Sequence, residues 1–112
     1  MLMKASAVTP PTKLAGAIAH HVRESGGEDL ALQAIGAGAV NQVVKAVAYA
    51  NSFLREDGLA LLLLPSRMSV PGCSNDGFIQ VMRFAVVVEP VTFGADGRPV
   101  PTTWHVRKGV GS

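Results

Sequence analysis

The chain has one cysteine in 112 residues, Cys73, so an internal disulfide framework and a cysteine-rich zinc site are both excluded. Charged residues make up only 16% and aromatic residues only 5%, which rules out a polybasic, histone-like protein despite the formal net charge of +2. No long hydrophobic run is present; the longest, Leu59 to Leu64, is far too short to cross a bilayer. The opening residues MLMKASAV lack an extended apolar core, so no signal peptide is expected. Internal repeats and low-complexity tracts are also missing. What the chain does have is aliphatic: 48% of its residues are hydrophobic, chiefly Ala, Val and Leu. That is enough for a real core at a length that fits one domain. The expectation is a soluble, cytoplasmic globular protein with no membrane partner.

The placement of charge says more than its sum. Residues 1–89 hold seven positive side chains (Lys4, Lys13, Arg23, Lys45, Arg55, Arg67, Arg83) and seven negative ones (Glu24, Glu28, Asp29, Glu56, Asp57, Asp76, Glu89). The excess of +2 lies wholly in the remaining residues, where Arg98, Arg107 and Lys108 face only Asp96. Binding to a polyanion therefore requires charge segregated to one face of a neutral core, or the tail.

Hydrophobic periodicity predicts the elements. A strand is expected over about Leu2 to Val8, ended by Thr9-Pro10-Pro11-Thr12, where Thr can cap a helix and Pro suits its first turn. Leu14, Ala15, Ile18 and Val22 then fall on one helical face, and Gly26-Gly27 stops the helix. Leu30 to Ile35 reads as a buried strand. Gly36-Ala37-Gly38 turns into a second helix over about Ala39 to Leu54, with Val40, Val43, Val44, Val47, Ala50 and Leu54 in a stripe. Leu59 to Leu64 is the third strand, Pro65 to Gly77 a long loop, and Phe78 to Glu89 the fourth strand. From Pro90 the composition changes, and residues 91–112 are expected as a C-terminal extension, a hairpin or arm, appended to a domain over 1–90. The order β-α-β-α-β-β predicts an α+β two-layer sandwich, with two helices on one face of a four-stranded sheet. The last strand is apolar on both faces, with Met82, Phe84, Val86 and Val88 alternating with Ile79, Val81, Ala85 and Val87. Something must cover the open face, either a second subunit or the tail, and a homodimer is the simplest cover.

No constellation supports catalysis. His20 and His21 are sequence neighbours and point apart on a helix, His105 has no adjacent ligand, and Cys73 has no positioned base. The carboxylates cluster at helix ends. No catalytic residue, metal ligand or cofactor is therefore expected, and the chain reads as a non-enzyme. Gly36-x-Gly38 lacks the third glycine and following acid of a dinucleotide fingerprint, since position 41 is Asn41. It can still bring backbone N–H groups close to an anion at a helix start, with Asn41, Gln42 and Lys45 on the neighbouring helical face. A tight turn with a solvated helix face accounts for the same residues. Lys13 and Arg23 on the first helix and Lys45 on the second would share a surface if the helices lie side by side. Trp104, with Arg107 and Lys108 nearby, offers either a stacking group for a base or a ring to pack on the sheet.

The segment Leu32-Gln-Ala-Ile-Gly-Ala-Gly-Ala-Val-Asn-Gln-Val-Val-Lys-Ala-Val-Ala-Tyr-Ala50 closely resembles the stage V sporulation protein S family. Lys4-Ala-Ser, Leu14-Ala-Gly-Ala-Ile18 and Val86-Val-Val-Glu-Pro90 extend the likeness to about Met3 to Pro90. The resemblance implies an Alba-like fold, similar in architecture to the C-terminal domain of translation initiation factor 3. It also implies a non-enzymatic, dimeric nucleic-acid-binding protein with a regulatory part in sporulation or development. Gly36, Gly38, Asn41, Gln42 and Lys45 match the family motif, and Lys13 lies where Alba-type proteins carry basic residues. Archaeal Alba proteins have arginines in the loop before the second helix, whereas Gly36-Ala37-Gly38 is uncharged, so weak backbone binding is expected, assisted by Arg107 and Lys108. Two other functions fit the composition. One is an assembly module using the apolar sheet face or the tail, and the other is a sensor of an anionic metabolite at the Gly36-x-Gly38 turn.

Overall fold

The computed structural model describes residues 1–102. Strand β1 (Leu2–Ala5) leads into helix α1 (Pro11–Ser25), strand β2 (Ala31–Ala34) and helix α2 (Ala37–Leu54). After a 3-10 turn at Arg55–Asp57, β3 (Leu59–Pro71) and β4 (Phe78–Phe93) form a long hairpin, and β5 (Pro99–Pro101) closes the described chain. The sheet order is β1-β2-β4-β3, with β1 and β2 parallel and the other neighbours antiparallel. The expected α+β sandwich is thus the observed fold. Because both helices follow parallel strands, both begin at the same end of the sheet.

The core lies between helices and sheet. Leu14, Ala15, Ile18 and Val22 of α1 meet Val43, Ala46, Val47, Ala50 and Leu54 of α2. Below them stand Leu32 and Ala34 of β2, Leu61 of β3, and Phe84 and Val86 of β4. The valine-rich stripe of α2 is helical because Val43 and Val47 are buried against this layer, which outweighs their weak intrinsic propensity. Gly26 ends α1 in the left-handed conformation, its N–H donating to the Val22 carbonyl at 2.8 Å.

The elements depart from sequence expectation mainly at proline. The segment from Pro65 is strand rather than loop: β3 continues to Pro71, and only 72–77 turns. Asn51 of α2 explains how. Its side-chain oxygen accepts the Leu61 N–H at 2.7 Å and its amide nitrogen donates to the Leu61 carbonyl, so the backbone of Leu61 points out of the sheet. With a period of two, the backbones at positions 65 and 71 point outward as well. Pro65 and Pro71 therefore lack a donor only on the free edge, where no strand needs it. Pro90, likewise expected to end β4, faces the side on which β2 has already stopped at Ala31, and the strand runs on to Phe93. Strand β1 is shorter than expected, ending at Ala5, because Ser6 and Thr9 close a turn there. The segment after Phe93 folds back through Gly94–Gly97, and β5 pairs with Val91–Phe93.

Candidate nucleic-acid interface

Two helix starts stand side by side at the end of the sheet marked by Ala5 and Ala34. Neither start has a side-chain cap or an acidic residue in its first turn. Their leading N–H groups keep the positive end of each helix dipole uncompensated. The preceding loops hold them together. A Cβ on Gly38 would lie 2.9 Å from the Ala7 Cβ, so the second helix starts against the first loop. Gln42 fastens the same junction, its amide nitrogen donating to the Thr9 carbonyl at 2.9 Å. Gly36 has open space around it, but its φ of +86° is one that residues with side chains rarely adopt.

Lys13 is exposed in the first turn of α1, and Asn41 and Lys45 are exposed one turn apart on α2. Neither lysine takes part in an ion pair among the described residues. The structure thus brings Lys13, Gly36, Gly38, Asn41, Gln42 and Lys45 to one end of the fold, with Gln42 already committed to Thr9. Arg107, Lys108 and Trp104 lie outside the described residues.

Arg23 does not join them. The helices run parallel, so the last turn of α1 meets the end of α2. There Arg23 Nε donates to Asp57 at 2.8 Å and Nη2 to the Phe53 carbonyl at 2.7 Å, with Glu56 at 3.4 Å. The expected surface shared by Lys13, Arg23 and Lys45 is corrected accordingly. Arg23 is neutralised a helix length away from Lys13.

Topology converts this into a pattern that the linear sequence hides. Lys4 pairs across β1–β2 with Gln33, and Gln33 across β2–β4 with Arg83. Arg67 stands opposite Met82, level with Ala34. The half of the fold containing the helix starts therefore holds Lys4, Lys13, Lys45, Arg67 and Arg83, against Asp76 alone at the hairpin turn. The half containing the helix ends holds Arg23 and Arg55 against Glu24, Glu28, Asp29, Glu56, Asp57 and Glu89. Residues 1–89, neutral in sum, are divided into a +4 half and a −4 half. Lys4 and Arg67 belong to the positive half, yet sequence reasoning did not single them out. Only strand order and register reveal their position.

The other described features lie elsewhere. A cleft of about 330 Å³ between α2 and the β4–β5 hairpin is lined by Asn51, Arg55, Phe93 and Pro99, at the acidic end. The Arg55 guanidinium there sits 4.2 Å over the Phe93 ring. Asp76 accepts the Ser74 hydroxyl and the Phe78 N–H, and these bonds hold its carboxyl below the usual carboxylate range. Among the described residues no cluster of His, Cys, Asp and Glu suits a metal, and no helix is long and apolar enough to cross a membrane.

The sequence model of the family described as stage V sporulation protein S matches residues 1–89, from the first residue of the chain to Glu89 within β4. The match covers every element from β1 through the body of β4, including both helix starts and the Gly36 to Lys45 segment. With fold, motif and family match in agreement, the chain belongs to the stage V sporulation protein S family, which supports a sporulation-associated regulatory role.

Proposed function

We propose that the chain is a nucleic-acid-binding regulator that acts as a dimer and grips the phosphate backbone with the end of the fold bearing the helix starts. The observation that carries this reading is the separation of a neutral core into a +4 and a −4 half. A positive end holding two uncapped helix starts attracts phosphate. Lys13 and Lys45 supply the point charges. Asn41 offers a neutral donor between them, and the small side chains of Gly36 to Ala39 let a backbone phosphate come close to main-chain N–H groups. Gln42 serves by fixing the two starts relative to each other. The residues available make contacts to phosphate rather than to base edges, so binding is weak and tolerant of sequence.

The test is a titration of labelled duplex DNA and of RNA at several salt concentrations. Binding at low salt should fall linearly on a log–log plot, and Lys45→Ala should lower the slope by about 0.9 for duplex DNA. The loss should be alike for unrelated sequences. No binding at low salt, or an unchanged slope in Lys13→Ala/Lys45→Ala, overturns the assignment.

A further inference from the structure

The sheet face turned away from the helices is laid out in rows across the strands. Lys4, Gln33, Arg83 and Ser66 stand level on β1, β2, β4 and β3. The next row is Leu2, Ala31, Ala85 and Leu64, followed by Val87 beside Leu62, and then Glu89 beside Ala60. Leu2, Leu62, Leu64 and Val87 are 41%, 38%, 64% and 41% exposed, so the two middle rows make an apolar band open to solvent. The rows contain no aromatic side chain, and a nucleic-acid base would find nothing to stack on.

Arg83 marks one rim of this band. Its Nη2 donates to Gln33 Oε1 at 2.6 Å, while its Nε is buried without a partner. No described carboxylate forms an ion pair with it. A half-buried guanidinium with no carboxylate beside it is open to one from another molecule. Glu89 marks the opposite rim, half-buried and also without a described ion-pair partner. The two charges stand at equal distances from the point midway between the Ala85 and Val87 rows.

We propose that this face is the contact between two copies of the chain, related by a two-fold axis between the Ala85 and Val87 rows, with Arg83 of each copy on the partner subunit's Glu89. A two-fold axis lying in the interface, parallel to the rows and perpendicular to the strands, turns one face onto the other, reverses strand direction and superposes each rim on its opposite. Six residues of β4 separate the charges, about 20 Å, so both pairs form at the two ends of one buried apolar band. Leu62, Leu64, Ala85 and Val87 then interdigitate with their copies at the usual separation of stacked sheets, about 10 Å. Parallel stacking would set Arg83 on Arg83 and Glu89 on Glu89, so the charges choose the antiparallel arrangement. Each Arg83 guanidinium gains a carboxylate, and the Lys13 and Lys45 surface stays outside the contact on the helix layer. This inference rests on the dimeric half of the function proposed above and supplies its surface.

Sedimentation analysis of the full chain over a wide concentration range tests it. The wild type should dimerise. Leu64→Glu, at an exposed position where folding has little to lose, should raise the dimer dissociation constant at least about tenfold, or about 1.4 kcal/mol. Arg83→Glu and Glu89→Arg should each weaken association, and the double exchange should restore most of it. Circular dichroism confirms that each variant is folded; should Arg83→Glu unfold by losing Gln33, Leu64→Glu and Glu89→Arg still decide. A wild-type monomer at every concentration overturns the proposal, as does a dimer that Leu64→Glu leaves intact or a double exchange no better than either single change. Nucleic-acid titration of the same proteins separates the two readings. A dimer that binds no nucleic acid sinks the nucleic-acid reading and leaves this interface standing, whereas a monomer that binds sinks this interface with the dimeric half of that function and leaves its nucleic-acid half.

Discussion

Gly36 and Gly38 are two positions apart and meet different demands. Gly36 is held at φ +86° with free space around it, so a side chain there would strain the backbone rather than collide. Gly38 has ordinary helical geometry, but a Cβ would fall 2.9 Å from Ala7. Gly38→Ala should therefore push the two helix starts apart and cost about 1–2 kcal/mol, the range of mild overpacking. Gly16 is the internal control. It lies in α1 with nothing within 4 Å of its would-be Cβ, so Gly16→Ala should stabilise by about 0.5–1 kcal/mol through helix propensity. Urea unfolding of both variants checks the pair, and similar shifts at Gly16 and Gly38 would contradict the assignment. The sequence announces a glycine turn between strand and helix. It does not announce what Gly38 accommodates, because Ala7 is a loop residue about thirty positions away, and neither periodicity nor local propensity links the two. The same holds for Gln42, whose place on the exposed side of the helical wheel conceals its bond to Thr9.

At the scale of elements, the lesson concerns edges. Read locally, Pro65 and Pro71 look like loop punctuation, because proline cannot donate to a ladder. Within the sheet they occupy the free side of an edge strand, where the missing donor matters to no neighbour and deters the approach of a foreign strand. Legibility failed here because the two sides of a strand are distinguished only by pairing, and Asn51 is the residue that shows which side of β3 is which. Asn51 also occupies the one outward N–H and C=O pair on β3 that the described structure closes with a side chain. Replacing it with Ala leaves both Leu61 groups without a partner at a partly buried site. The expected cost is about 1–3 kcal/mol. Amide exchange at Leu61 should accelerate well beyond any change at the Leu62 amide, which faces β4. Equal acceleration of both amides would mean that Asn51 merely packs. The helix stripes, by contrast, were legible apart from Val44, expected on the buried stripe of α2 but 51% exposed. Leu14, Ile18 and Val22, and Val43, Val47 and Leu54, repeat at helical spacing and are all buried. One period is enough to specify one buried face.

For the whole molecule, the unresolved competition lies between the pole of the core and the tail. Net charge by segment points to residues 90–112 as the only basic stretch, since Arg98, Arg107 and Lys108 oppose Asp96 alone. The folded arrangement weakens that inference in two ways. Arg98 lies 3.4 Å from Asp96 across the β4–β5 turn, so part of the excess is already paired. The core, neutral as a list, carries five of its seven positive side chains in one half, an imbalance that strand order creates and composition cannot register. At a Debye length of about 8 Å in physiological salt, a phosphate at the helix starts is screened from the acids at the far end of the helices. A helix of fifteen residues places those acids roughly 20 Å away. Local potential therefore governs binding rather than the sum. Arg107→Ala/Lys108→Ala removes the tail's contribution and Lys13→Ala/Lys45→Ala that of the pole, each changing the net charge equally. If net charge were decisive, the two pairs would weaken DNA binding alike. With the pole in control, the Lys13/Lys45 pair should abolish most of the affinity and lower the salt slope by nearly two. The Arg107/Lys108 pair should leave a measurable complex whose remaining slope reflects the pole. The reverse order would move the site from the fold to its extension.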